Sequence, residues 1–286
     1  MPTPTFAAAM LLFPNAKLNL GLHVVRRRPD GFHELETAFV PIQWCDALEV
    51  LPPSTLLPSH PPTLTLTGRP IPGDPAANLC LRAWELLRAD FPALPPAHLH
   101  LHKVVPIGAG LGGGSADAAF ALRGLNEVFG LGLSAEELLP YARRLGADCA
   151  FFLLNRPALA TARGDEFAPL ALPQLAACAV AVVWPGVGIS TAEAFRGVTP
   201  AAPAAPLAEV LARPVAEWRG ALVNDFEAAL APRFPVLAQV KERLYAAGAA
   251  YAALSGSGSA VFGIFTGEAV PALAWPEEFA VWRGTF

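Results

Sequence analysis

Lysine is scarce in this chain. Only Lys17, Lys103 and Lys241 occur and arginine supplies the remaining basic charge, so a lysine inside a motif is conspicuous. Charged residues make up 15% of the sequence and the net charge is −4, which argues against a nucleic-acid-binding surface. The cysteines Cys45, Cys80, Cys149 and Cys178 are far apart and include no Cys-x-x-Cys. That spacing indicates neither a zinc knuckle nor a disulfide framework, and the four read as buried reduced thiols. Long apolar runs are missing as well. A membrane span needs about 20 consecutive apolar residues, whereas Phe6 to Phe13 stops at Pro14 and Ala171 to Val183 is broken by Pro173 and Gln174. Met1 to Phe13 carries no basic segment of the kind that opens a secretory signal. The expectation is a soluble, cytoplasmic protein with no membrane or nucleic-acid partner.

The 286 residues suffice for one large domain or two modest ones. Ala16 to Val25 alternates polar and apolar residues as a half-buried strand does, and Arg28-Pro29-Asp30-Gly31 then makes a turn. Glu34 to Gln43, Ala47 to Leu51, Thr63 to Thr67 and His98 to Val105 read as further strands, with a loop at 52–62. Helical spacing covers Asn78 to Ala89, Ser115 to Phe129 and Ser134 to Leu145. The last of these opens on Ser134 with Glu137 three residues on and closes on Gly146. Beyond residue 155 come a strand at Cys178 to Val183 and a connector at Pro200 to Pro206. Helices near Asp225 to Leu230 and Pro235 to Ala247 follow, then strands at Ala250 to Leu254 and Ala260 to Phe265. The mixture has no regular βαβ rhythm, so the class is α+β with two domains, residues 1–155 and 156–286.

Between a strand and a helix the chain reads Pro106-Ile107-Gly108-Ala109-Gly110-Leu111-Gly112-Gly113-Gly114-Ser115-Ala116-Asp117. Glycines let a backbone approach a ligand closely, and a helix start directs free N–H groups and the positive dipole end at it. The chemistry this suits is phosphate binding, although tight packing also uses glycine. A Walker A loop is excluded, because Gly-Lys-Ser/Thr is missing. Gly108, Gly110 and Gly113 match G-x-G-x-x-G, but the acid expected about 20 residues on would be Glu127, inside a helix, so the dinucleotide reading fails.

Other residues are open to two readings. Lys17 and Asn19 share a strand face and suit either a phosphate and carboxylate site or a solvent-facing edge. Asp148 precedes the apolar run Cys149 to Leu153, where a carboxylate needs a partner unless it caps a turn. Phe32 and His33 could stack on and bond a base, or simply complete a hairpin. His98, His100 and His102 lie on one strand face, but metal ligation needs converging rings. The loop Ser255 to Ser259 suits a phosphate site or close packing.

Taken in order, Pro14-Asn15-Ala16-Lys17-Leu18-Asn19-Leu20, the glycine-rich segment, Gly146-Ala147-Asp148 and Leu254 to Gly263 resemble the GHMP kinases. Asp30-Gly31-Phe32-His33-Glu34-Leu35 and Val223-Asn224-Asp225-Phe226-Glu227 resemble the branch that phosphorylates the 2-hydroxyl of a cytidine-diphosphate-linked methylerythritol in non-mevalonate isoprenoid synthesis. The resemblance implies a two-domain fold with its active site in an interdomain cleft, ATP as co-substrate and Mg²⁺. It implies Asp148 as catalytic aspartate and Lys17 as the lysine beside it, with Pro106 to Ala116 as the ATP loop. It also implies substrate contacts from Asn19, Phe32, His33, Thr191 and Phe195, and names no metal ligand. The alternatives are a GHMP kinase for another alcohol, mevalonate or homoserine, or a non-catalytic binding relative. Three departures stand out. Ser115-Ala116-Asp117 replaces the common Ser-Ser-Asp and leaves Ser115 the only hydroxyl near the phosphates. Cys149-Ala150 replaces Val-Pro. Phe32 replaces a frequent tyrosine.

Overall fold

The computed structural model describes residues 9–53 and 61–286. The readings made at 1–8 and over most of the 52–62 loop lie outside the described residues. In chain order the strands are β1 (Met10–Leu12), β2 (Asn15–Arg27), β3 (His33–Cys45), β4 (Ala47–Leu51), β5 (Thr63–Gly68) and β6 (His98–Lys103). There follow β7 (Ala158–Thr161), β8 (Glu166–Pro169), β9 (Cys178–Trp184), β10 (Tyr251–Leu254), β11 (Val261–Thr266) and β12 (Ala280–Thr285). The α-helices are α1 (Leu79–Asp90), α2 (Gly113–Val128), α3 (Ala135–Leu145), α4 (Cys149–Leu154), α5 (Thr191–Phe195), α6 (Leu207–Leu211), α7 (Asp225–Leu230) and α8 (Pro235–Ala246). Contacts divide the chain into two units. Among the described residues one comprises 9–16, 44–53, 61–105 and 112–155; the other comprises 17–43, 106–111 and 156–286. The second unit therefore takes β2 and β3 from the N-terminal part of the sequence, along with the first half of the glycine-rich segment.

In the first unit the sheet order is β1-β4-β6-β5. β5 and β6 are parallel, and α1 between them provides the crossover that parallel neighbours need. Register sets the chemistry of each face. Leu48 pairs with Leu101 and Val50 with Leu99, all fully buried. The alternate positions pair Thr63, Thr65 and Thr67 with His98, His100 and His102. Those histidines bond polar side chains on the two neighbouring strands: His98 Nδ1 meets Thr63 Oγ1 of β5 at 2.6 Å, and His100 Nδ1 meets Glu49 Oε2 of β4 at 2.8 Å.

Helix α2 packs on β1 and β4 and against α1, α3 and α4. It starts at Gly113 rather than the expected Ser115, because Gly112 takes the left-handed conformation (φ 71°) and its carbonyl already accepts from Ala116 N at 2.9 Å. The strand expected to reach Val105 ends at Lys103. On α3 the expected capping box is complete: Ser134 Oγ accepts from Glu137 N at 3.2 Å, and Glu137 Oε2 accepts from Ser134 N at 2.9 Å. Ser134→Ala is expected to lower stability by about 1 kcal/mol, read as a fall in urea midpoint at unchanged m; Ser134→Asp is expected to restore it.

The second unit holds two sheets, β2-β3-β7-β8 and β10-β11-β9-β12. The β2–β3 hairpin turns at the expected Arg28 to Gly31, with Arg28 N donating to Phe32 O at 2.8 Å and Gly31 at φ 86°. Strand β9 lies between β11 and β12, and Cys178 to Val183 are buried on both faces. Leu22, Val24, Val183, Phe226, Val240, Leu254 and Phe265 share one apolar core. The cysteines are reduced; Cys80, Cys149 and Cys178 are buried as expected, while Cys45 is only half-buried. No helix of the described residues is long and apolar enough to cross a membrane.

Candidate functional site

The glycine-rich segment alternates conformations, with Gly108, Gly110 and Gly112 all left-handed at φ 65°, 74° and 71°. Its first half is fastened within the second unit. Leu111 O accepts from Lys17 N at 2.9 Å, Ala109 O from Ala260 N at 2.9 Å, and Gly110 O from Ser255 Oγ at 3.0 Å. Gly110 passes so close to the Ser255–Gly258 turn that a Cβ there would overlap Ser255 O. Of the two readings of the small-residue loop, close packing is the one these contacts support. Gly108 and Gly114, by contrast, face open space. At the start of α2 the N–H groups of Gly113, Gly114 and Ser115 have no intrahelical acceptor, and Gly112 offers no side chain to cap them. Such a turn is a ready anion site.

Lys17 and Asn19 are buried at 3% and 2% exposure, which overturns the solvent-edge reading of β2. The reason is a chain of partners inside the second unit. Lys17 Nζ donates to Asn19 Oδ1 and lies 4.7 Å from the centre of the Phe39 ring. Asn19 Nδ2 donates to Thr37 Oγ1 at 2.9 Å, and Thr37 Oγ1 donates to Gly21 O at 2.5 Å. The backbone N–H of Asn19 reaches Ser255 Oγ at 3.3 Å. The amide is thus oriented with its oxygen toward the lysine, and the lysine is oriented with it.

Asp148 is half-exposed in the first unit, at the N-cap position of α4. It makes no side-chain capping bond, so the turn-capping reading of this carboxylate does not hold. The buried run Cys149 to Phe152 is a helix too short for its period to show in the sequence. Ala116, where the common second serine would stand, is fully buried.

Among the base-contact candidates, His33 and Phe195 meet: their ring centroids are 4.6 Å apart and their planes 16° from parallel. Phe226 supports Phe195 edge-on at 4.9 Å. Phe32 is 56% exposed and carries the Arg163 guanidinium 5.2 Å from its ring centre. Thr191 is exposed at the start of α5, four residues before Phe195.

The Val223 to Glu227 motif is architectural. Asn224 Nδ2 donates to Leu254 O and Gly256 O, each at 2.9 Å, while its Oδ1 caps α7. Asp225 Oδ2 accepts from Val24 N at 2.8 Å, and Glu227 Oε1 from Leu254 N at 2.7 Å. One cluster escaped the sequence reading altogether. In the first unit Lys103 Nζ lies 2.5 Å from Asp46 Oδ2 and 2.6 Å from Asp117 Oδ2, all three side chains being at most 4% exposed. The signal available was the rarity of lysine; its partners, 57 and 14 residues away, follow no local pattern. Among the described residues no group of three His, Cys, Asp or Glu side chains could hold a metal ion, the histidines of β6 included.

Comparison with known proteins identifies the family. Residues 78–156 match the GHMP kinases N terminal domain and residues 207–275 the GHMP kinases C terminal domain. A 4-diphosphocytidyl-2-C-methyl-D-erythritol kinase of Cytophaga hutchinsonii is 47% identical over 256 residues, covering 90% of this chain and 92% of the relative. A crystal structure of 4-(cytidine 5'-diphospho)-2C-methyl-D-erythritol kinase superposes with a TM-score of 0.77 at 35% identity, covering 96% and 98% of the two chains. A homoserine kinase structure from Cytophaga hutchinsonii superposes with a TM-score of 0.69 at 16% identity over 100% and 97%, a likeness of fold alone.

Proposed function

The chain belongs to the GHMP kinases and, within them, to the family of the 4-diphosphocytidyl-2-C-methyl-D-erythritol kinases, and we propose on that premise that it moves the γ-phosphoryl of ATP onto the 2-hydroxyl of 4-diphosphocytidyl-2-C-methyl-D-erythritol. The observation that carries this reading is the 47% identity across 90% of the chain. In the reaction the acceptor oxygen bonds to the γ-phosphorus, the bond to the β–γ bridging oxygen breaks, and ADP leaves. The acceptor proton goes to Asp148. Lys17, fixed by Asn19, offsets charge on the transferring group. Phosphoryl transfer depends mainly on such positioning and charge stabilisation.

Residues 106–116 suit the nucleotide phosphates, because Gly108 and Gly114 leave open space and the first N–H groups of α2 have no intrahelical acceptor. Magnesium would enter on ATP itself, since this ion keeps phosphate and water oxygens as most of its shell. In this reading residues 1–155 supply most of the nucleotide contacts and residues 156–286 add Thr191 and Phe195. Placement in a cytoplasmic isoprenoid pathway follows from the same assignment.

Phe32, His33 and Phe195 would receive the cytosine. Phe195→Ala removes the surface on which His33 is stacked. It is expected to raise KM for the cytidyl substrate about tenfold or more while kcat changes little, as loss of uniform binding does. The test of the function is ADP release from Mg-ATP with 4-diphosphocytidyl-2-C-methylerythritol, mevalonate and homoserine in parallel. Turnover with the cytidyl acceptor alone supports the reading. Turnover with either other alcohol would move the substrate, and none at all would favour a binding protein.

A further inference from the structure

The buried carboxylates of the first unit are not equivalent. Asp46, in the turn between β3 and β4, is saturated: Oδ2 accepts from Lys103, and Oδ1 accepts from Val104 N at 2.5 Å and Val105 N at 2.8 Å. Asp117, in the second turn of α2, accepts from Lys103 through Oδ2, and its buried Oδ1 has no partner. Two carboxylates on one ammonium leave a net negative charge in a dry site, and the oxygen without a donor is where a proton relieves it.

These bonds also fix the glycine-rich segment at both ends. Asp46 holds Val104 and Val105, immediately before Pro106. Lys103 holds Asp117 and lies against Gly113, where a Cβ would sit only 3.0 Å from Nζ. The start and the end of the segment are therefore tied to each other through one lysine.

We propose that Asp117 is a positioning residue for the nucleotide and works as a neutral acid: through Lys103 and Asp46 it sets the first turn of α2, and it takes up a proton as the nucleotide's phosphates bind there. The proposal rests on the kinase reading above for the place of the phosphates. Burial pushes the Asp117 carboxyl up, to about 7, with Lys103 opposing and Asp46 adding to the rise. Burial alone would lower Lys103, but Asp117 and Asp46 more than reverse this, so the lysine stays charged. The thiols nearby do not compete for the proton: burial pushes Cys80 on α1 well up, with the Asp117 charge adding to it, and Cys149 on α4 to about 11. Asp117 follows the free N–H groups of α2 by about one helical turn. A phosphate charge within about 10 Å, at an effective dielectric of about 20, raises such a carboxyl by roughly one pKa unit. Starting from about 7, that rise means proton uptake near pH 7.5 and weaker nucleotide binding as pH climbs further.

The test is calorimetric titration of the full chain with Mg-AMP-PNP at pH 7.5 in PIPES and in Tris, whose ionisation enthalpies differ. Wild type is expected to take up about half a proton per nucleotide. Asp117→Asn keeps an acceptor for Lys103 without the charge, and is expected to bind within about threefold of wild type with no proton uptake. Asp117→Leu removes the acceptor, and is expected to bind about tenfold more weakly or worse and to raise KM for ATP but not for the acceptor. Wild-type binding independent of buffer, or equal uptake in Asp117→Asn, would overturn the proposal. Proton-coupled nucleotide binding without turnover of the cytidyl acceptor would leave it standing and remove the substrate assignment. Failure of wild type to bind Mg-AMP-PNP would overturn both.

Discussion

Asp148→Asn is expected to lower kcat by about 10²–10⁴-fold, the usual contribution of a positioned base, with KM for both substrates nearly unchanged. The start of α4 itself tolerates this substitution. Asp148 stands at the N-cap position of α4 but makes no side-chain capping bond, so the amide removes no cap. Its backbone (φ −73°, ψ −17°) is ordinary helical conformation that asparagine adopts without strain. The isosteric change keeps a polar group and removes basicity, and thermal unfolding should move little. A loss of kcat at constant Tm locates the effect in proton transfer or acceptor orientation. Near-full kcat would remove Asp148 from the chemistry, and a large fall in Tm would assign it a structural role instead.

Gly110→Ala is expected to lower kcat/KM for ATP by about 10²-fold, the scale of a misplacement near 1 Å. Two effects combine. A residue with a Cβ at φ 74° costs roughly 1–2 kcal/mol. The added Cβ also overlaps Ser255 O and lies 2.9 Å from Ser255 C and 3.0 Å from Gly258 N, and backbone atoms have no rotamer by which to yield. The bonds from Ser255 Oγ to Gly110 O and from Ala260 N to Ala109 O must stretch as the segment shifts. Gly108→Ala separates the two effects: its φ is 65°, but nothing lies within 4 Å of the new Cβ. It should lose about the conformational energy alone and keep most of its activity. Equal losses in the two variants, measured as KM for ATP and urea midpoint, would show that the contact with the Ser255 turn does not matter.

Much of the fold was legible because its signals are local. Ser134 and Glu137 complete a capping box within four residues, and α3 begins where they stand. The leucines of β6 alternate with histidines because one face is buried and the other meets a row of threonines. The 106–117 segment leads from β6 into α2, as its place between a strand pattern and a helix pattern predicts. What stayed hidden depends on contacts distant in sequence. Lys17 and Asn19 look the same on an exposed edge as in a core; burial beside Thr37 and Phe39 decides the matter. The stack of His33 on Phe195 joins residues 162 positions apart. Helix α4 is six residues long, too brief to display a period. Asp46 has no pattern of its own, yet it bonds the lysine and two backbone amides at the head of the glycine-rich segment.

The most direct measurement is ³¹P NMR of the products formed from Mg-ATP and 4-diphosphocytidyl-2-C-methylerythritol by wild type and by Asp148→Asn. The account requires ADP and one new phosphomonoester resonance in equal amounts from wild type, coupled to the methyl-bearing C2 of the acceptor, and neither signal from the variant over the same period. A phosphomonoester at another position, its formation only from mevalonate or homoserine, or undiminished product from Asp148→Asn would contradict it.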